Sequence, residues 1–132
     1  MIEADDLFLE KATESLDGAL SEFASARYNN SANRSYYSCF QAAIHALIRA
    51  NLRPLGDGWG HAFVQSQFVG LLVNRRKLYS TDLRPVLEQN YRLREVADYF
   101  RRERVGEERA GRAARRAEAF VAAIREGGSR SP

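Results

Sequence analysis

The sequence predicts an all-α fold: an antiparallel up-and-down bundle of four long helices with a shorter extra helix. Three observations carry this expectation. Apolar residues recur at three- and four-residue spacing along the chain, strand-like alternation is nearly absent, and the connections between most helical stretches are short, which favours antiparallel neighbours. At 132 residues the chain reads as one domain spanning 1–132, long enough to bury a core without metal or disulfide staples.

The elements follow in order. From Asp6 to Ala26, the residues Leu9, Ala12, Leu16, Leu20 and Phe23 form one apolar stripe with acids outside it, which predicts the first helix. Asn29, Asn30 and Ser31 are expected to break the chain and to cap a second helix reaching Asn51. LRPLGDGWGH, rich in Gly and Pro, predicts the longest loop, with a third helix from His61 to Val73 after it. Its glycines lack the strand before and the Lys-Ser or Lys-Thr after that a phosphate cradle needs, so a connector is expected, with Trp59 covering part of the core. Ser80 or Thr81 caps a fourth helix, Pro85 falls in its first turn, and the helix runs to Phe100 with Val86, Leu93, Val96 and Phe100 facing inward. A fifth helix, Glu107 to Arg125, buries Ala113, Ala117, Phe120, Val121 and Ile124. Gly127 and Gly128 stop it, and 127–132 is expected to be a disordered tail.

The second helix raises a question. Tyr36, Phe40, Ala43, Ile44 and Leu47 share one arc, and Cys39, Ala42, Ala46 and Ala50 a second arc of small residues. Between them Arg34, Ser38, Gln41 and His45 fall within about 60° of one another, a narrow polar seam on a helix otherwise fit for burial. An arginine there must be exposed or matched, because burying it unpaired is costly. The fourth helix offers the match: Arg94 and Asp98 stand one turn apart with Tyr91 on the same side, so Arg34 is expected to pair with Asp98 across the bundle or across a dimer interface. Tyr37 is placed near the seam and Tyr36 on the core arc.

Charge is divided unevenly along the chain. Residues 1–30 carry two basic and seven acidic groups, a net of −5, whereas residues 92–132 carry eleven arginines against seven acids, a net of +4. A basic second half suits an RNA or another acidic partner, but arginine interleaved with glutamate is more often a solvated helix face. Cys39 alone makes no internal bridge and is expected to be a buried, reduced thiol, in keeping with the cytoplasm. The acidic start MIEADDLFLEK is unlike a signal peptide, and no apolar run approaches the ~20 residues of a membrane span, so a soluble protein is expected. Two distant histidines and one cysteine give no metal-ligand spacing, and no cofactor is expected.

The pattern ARYNNSANRSYYSCFQAAIHALI, then GHAFVQSQF after a Gly-rich loop, then YRLREVADYF and AEAFVAAIRE, resembles the HEPN-domain family over Leu7 to Glu126. Within it, the chain is similar to small stand-alone members often encoded beside minimal nucleotidyltransferases. The resemblance implies a HEPN-like helical bundle, commonly dimeric, whose second and fourth helices line a cleft. Many members are metal-independent RNases used as toxins or in antiviral defence, with a signature of Arg, four to six residues, then His. The arginine steadies the scissile phosphate, and the histidine moves the proton when a ribose 2′-hydroxyl attacks.

Arg94 matches the signature arginine, but Tyr99 stands where the shortest form of the motif has His, and Asp98 precedes it. The catalytic set that the resemblance implies is therefore Arg94, Asp98 and Tyr99, with Arg34, Tyr37, Gln41, His45, His61 and Tyr91 lining or binding in the cleft. His61 falls where related sequences also carry histidine. Three functions stay open: a dimeric interaction module of a toxin–antitoxin or defence pair with a nucleotidyltransferase-like partner, a divergent RNase toxin, and a module that binds RNA or a nucleotide without cleaving it. The missing histidine leaves enzymatic activity undecided. Dimerisation is expected from the resemblance and from the wide apolar coverage of the second helix.

Overall fold

The structure, a computed structural model, describes residues 4–56 and 58–127. Five α-helices fill it, and among the described residues there is no strand: α1 (Ala4–Ala24), α2 (Tyr28–Arg49), α3 (His61–Gln67), α4 (Val86–Tyr99) and α5 (Glu107–Arg125). The four long helices form the antiparallel bundle expected from their short connections. α2 is its axis, packed against α1, α4 and α5, with α3 also in contact with it. α5 keeps its predicted bounds, and Ala113, Ala117, Phe120, Val121 and Ile124 are all buried.

The break between α1 and α2 lies earlier than expected. Ala26, at φ 62°, reverses the chain: Arg27 N–H donates to the Glu22 carbonyl and Ala26 N–H to that of Phe23. This closes the last turn of α1 with an alanine where glycine is usual. Asn29, Asn30 and Ser31 are therefore already inside α2 and cap nothing. Their side chains tie it to its surroundings instead: Ser31 Oγ donates to the Ala19 carbonyl, Asn30 Nδ2 to Glu22, and Asn29 Oδ1 accepts from Val105 N–H. The other end of α2 closes the same way, with Asn51 at φ 64° and Leu52 N–H donating to the Leu47 carbonyl.

α3 runs on as a π-helical stretch, Phe68–Arg75, which carries Phe68, Leu72 and Val73 into the core. Ser80 caps a short 3₁₀ turn, Thr81–Leu83, by accepting from Asp82 N–H, and Pro85 precedes α4 rather than lying in its first turn. Phe100 corrects another expectation. Extended backbone at that residue (ψ 122°) swings it out of the helical register, and it is 55 % exposed.

The stripe on α1 is also displaced. Its buried line is Ala12, Ser15 and Ala19, while Leu9, Leu16, Leu20 and Phe23 flank it half-buried. Small residues on that line let α1 come close to α2, and beside them Gly18 has Arg34 as its near neighbour. Trp59 packs edge-on against Phe8 and Phe63, covering part of the core as expected. Cys39 is a free thiol, fully buried, and burial pushes its pKa up to about 12. No helix of the described residues is long and apolar enough to cross a membrane. Of the expected tail, Gly127 takes the left-handed turn that ends α5 (φ 77°), and 128–132 lie outside the described residues.

Candidate functional site

The early turns of α2 and the last two turns of α4 face each other. From α2 come Asn33, Arg34, Tyr36 and Tyr37, and from α4 come Tyr91, Arg94, Asp98 and Tyr99. Helical spacing of three and four residues puts each set on one side of its helix. Asp98 joins the two helices: its Oδ2 accepts from Asn33 Nδ2 at 2.9 Å and lies 3.3 Å from Arg94 Nη1. Within the bundle Arg34 does not pair with Asp98 directly, which corrects the first of the two expected pairings. Its Nε donates to Asn33 Oδ1 at 2.9 Å, so a shorter residue interposes and the link runs Arg34–Asn33–Asp98–Arg94.

The Arg94 guanidinium sits among four tyrosines. Its Cζ is 5.4 Å from the ring centre of Tyr36, 5.7 Å from Tyr37, 5.3 Å from Tyr91 and 5.6 Å from Tyr99. Arg34 lies 5.1 Å from the Tyr37 ring as well, so one ring serves both cations. Only 12 % of the Arg94 side chain is exposed. Burial works against its charge, but the hydrogen bond with Tyr99 and the nearby Tyr37 and Asp98 more than compensate and hold its pKa above the ordinary arginine value. This group stays a cation.

His61, at the first turn of α3, completes the cluster. Its ring stacks on Tyr91 at 3.7 Å, Nδ1 is 3.0 Å from the Tyr36 hydroxyl, and Nε2 is 2.9 Å from Glu88 Oε1. Burial raises the Tyr36 pKa, although Arg94 opposes the rise, so its hydroxyl keeps its proton. The Glu88 carboxylate can only accept, so in a neutral His61 Nε2–H donates to Glu88 and Nδ1 is left to accept from the Tyr36 hydroxyl. His61 and Arg94 thus both lie against Tyr91 although they come from different helices.

Two expected cleft residues lie elsewhere. Gln41 is under α1, 2.8 Å from Ser15 Oγ, and His45 is buried in another cavity beside Tyr79 and Arg125. By helix rise His45 stands about 16 Å along α2 from Arg34. The polar seam is thus three environments rather than one groove, because α1 lies over its middle, where Ser38 is fully buried and donates to the Ser35 carbonyl. Asn33 and Glu88 were not singled out in the sequence. Asn33 had a signal, standing beside Arg34 in NRSYY; the pairing of Glu88 with His61 spans 27 residues and had none. Among the described residues, no group of three or more His, Cys, Asp or Glu side chains is placed to hold a metal ion.

A model of the HEPN domain matches residues 6–127. The chain belongs to the HEPN family. No curated protein matches it closely enough to count as a relative. In this HEPN domain Arg94 stands at the centre of the tyrosine cluster, and Tyr99, five residues later on α4, is 70 % exposed.

Proposed function

We propose that this HEPN domain acts by binding: as a dimer, and as one member of a toxin–antitoxin or defence pair with a nucleotidyltransferase-like partner. Position 99 carries the reading. A phenol is a poorer proton shuttle at neutral pH than an imidazole, so the usual RNase route lacks its acid–base group.

What α4 does offer is a surface. Tyr99 and Phe100 are exposed large side chains followed by Arg101 and Arg102, a composition enriched at protein interfaces. The apolar face of α2 is consumed by its own neighbours, so support for association shifts from α2 to this end of α4. Sedimentation at micromolar concentration and co-purification with the product of the adjacent gene test both associations, with Tyr99→Ala/Phe100→Ser expected to weaken them. A wild-type chain that stays monomeric and captures no partner would remove the reading.

A second reading, a divergent RNase, has one observation in its favour. His61, held by Glu88 and sharing Tyr91 with Arg94, is a histidine within the same cluster. Total RNA incubated with wild type, Arg94→Ala and His61→Ala decides it: cleavage abolished by both substitutions supports the RNase, and equal cleavage by all three marks a contaminant. A seat for one phosphate between Arg34 and Arg94, without cleavage, would appear as nucleotide binding without turnover.

A further inference from the structure

α4 and α5 meet along a groove that shares no lining residue with the Arg94 cluster. Its walls are Arg92 from α4 and Arg109, Arg112 and Arg116 from α5, over a floor that includes Leu93 and Val96, and it encloses ≈ 240 Å³. No carboxylate is among its lining residues. The spacing 109, 112, 116 sets three guanidinium groups along one face of α5, over about 10 Å of helix.

The glutamates that meet these arginines come from outside the lining. Glu88 is 3.1 Å from Arg92 Nε, Glu103 is 3.0 Å from Arg109 Nη1, and Glu108 is 3.1 Å from Arg112 Nη1. The three arginines are 74 %, 40 % and 49 % exposed, so the pairs are screened by water and easily exchanged. A guanidinium has five N–H donors, and one such contact leaves most of the fork available.

Arg116 differs. Its Nε donates to Oδ1 of Asn90 at 2.9 Å, and the fully buried Asn90 is fixed in turn by donating to the Ala113 carbonyl at 3.2 Å. The anchor is neutral. Burial lowers the Arg116 pKa; Cys39 opposes the fall and the neighbouring Arg112 adds to it.

We propose that this groove seats the phosphodiester backbone of a nucleic-acid strand, with Arg116 as the fixed seat and Arg92, Arg109 and Arg112 folding onto neighbouring phosphates. The occupant follows from the chemistry of the arginines. An acidic peptide would exchange carboxylates for the glutamates already there, like for like, whereas a phosphate takes charge-assisted bonds from two arginine forks at once. The proposal is independent of whether the Arg94 site cleaves anything.

The test is fluorescence anisotropy of a labelled single-stranded RNA, and of DNA of the same length, titrated with the full chain across a salt series. Arg92→Gln/Arg112→Gln changes two exposed groove residues, and Arg53→Gln/Arg84→Gln removes the same charge elsewhere. Each lost phosphate contact should reduce the magnitude of the log–log salt slope by about 0.7, hence by about 1.4 for the groove variant. The control pair should leave the slope near wild type, and both variants should keep the wild-type circular dichroism. RNA and DNA bound equally supports backbone recognition, and a preference for RNA supports it and names the strand. No binding by wild type, equal slope losses in both variants, or displacement by polyglutamate as efficient as by unlabelled strand would each overturn the proposal.

Discussion

Asp98→Ala tests whether the α2–α4 cluster is held together as described. An isolated Arg–Asp pair at i,i+4 on an exposed helix contributes only ~0.3–0.5 kcal/mol. Here Arg94 is 12 % exposed and Asp98 24 %, so the charges are less screened than on a surface. Removing the carboxylate also strips Asn33 Nδ2 of its acceptor. Taking the low end of the 1.5–3 kcal/mol range for a hydrogen bond to a charged group, and less than 1 for the more exposed Asn33 bond, the loss is about 2 kcal/mol. With a urea m value of about 1.5 kcal/mol/M, the midpoint of unfolding should fall by about 1.3 M. Glu108→Ala is the internal standard, because it breaks an Arg–Glu pair of similar length whose carboxylate is 85 % exposed, and it should cost under about 0.5 kcal/mol. An Asn33→Ala/Asp98→Ala cycle should show coupling of about 0.5–1 kcal/mol. If Asp98→Ala moves the midpoint no further than Glu108→Ala does, Asp98 is surface decoration and does not join the helices.

Three further outcomes follow from the packing. Ala26→Gly should stabilise the protein by about 1 kcal/mol in urea melts, because alanine pays for left-handed geometry at φ 62° that glycine adopts freely; a loss of stability would contradict the described turn. Phe120→Ala, which removes a fully buried ring 5.1 Å from that of Phe68, should cost about 3–5 kcal/mol in thermal or urea unfolding, whereas a cost near 1 kcal/mol would place Phe120 at the edge of the core. The Cys39 thiol is raised from 9.0 to about 12 on folding, so its contribution is intact below about pH 9 and is lost as pH rises towards 12. Over that window wild type should lose about 1.4 kcal/mol per pH unit relative to Cys39→Ala, and parallel pH profiles for the two would show that Cys39 is not buried as described.

Much of the candidate site was legible because its parts are local. Arg94 and Asp98 are one helical turn apart, and Tyr91 and Tyr99 lie near the same line of α4, so spacing alone put them together. Arg34 and Tyr37 were legible for the same reason on α2. His61 was reached only through resemblance, since nothing in its own segment points to Glu88 or Tyr36. Gln41 and His45 were misplaced by the reasoning that found Arg34, which treats a line of polar residues on a helix as facing one environment.

The sequence by itself determined the five helices, the inward face of α5, the burial of Cys39 and the one-turn pairing of Arg94 with Asp98. All of these depend on 3.6-residue periodicity, a property of each segment alone. Only the tertiary structure decided which stretch of the α2 seam is open. α1 approaches along Ala12, Ser15 and Ala19, closes over Ser38 and Gln41, and leaves Asn33 free to bridge Arg34 to Asp98. How near a second helix can come is set by side-chain volumes on both partners and by the turn at Ala26, and no periodicity within either helix encodes that distance.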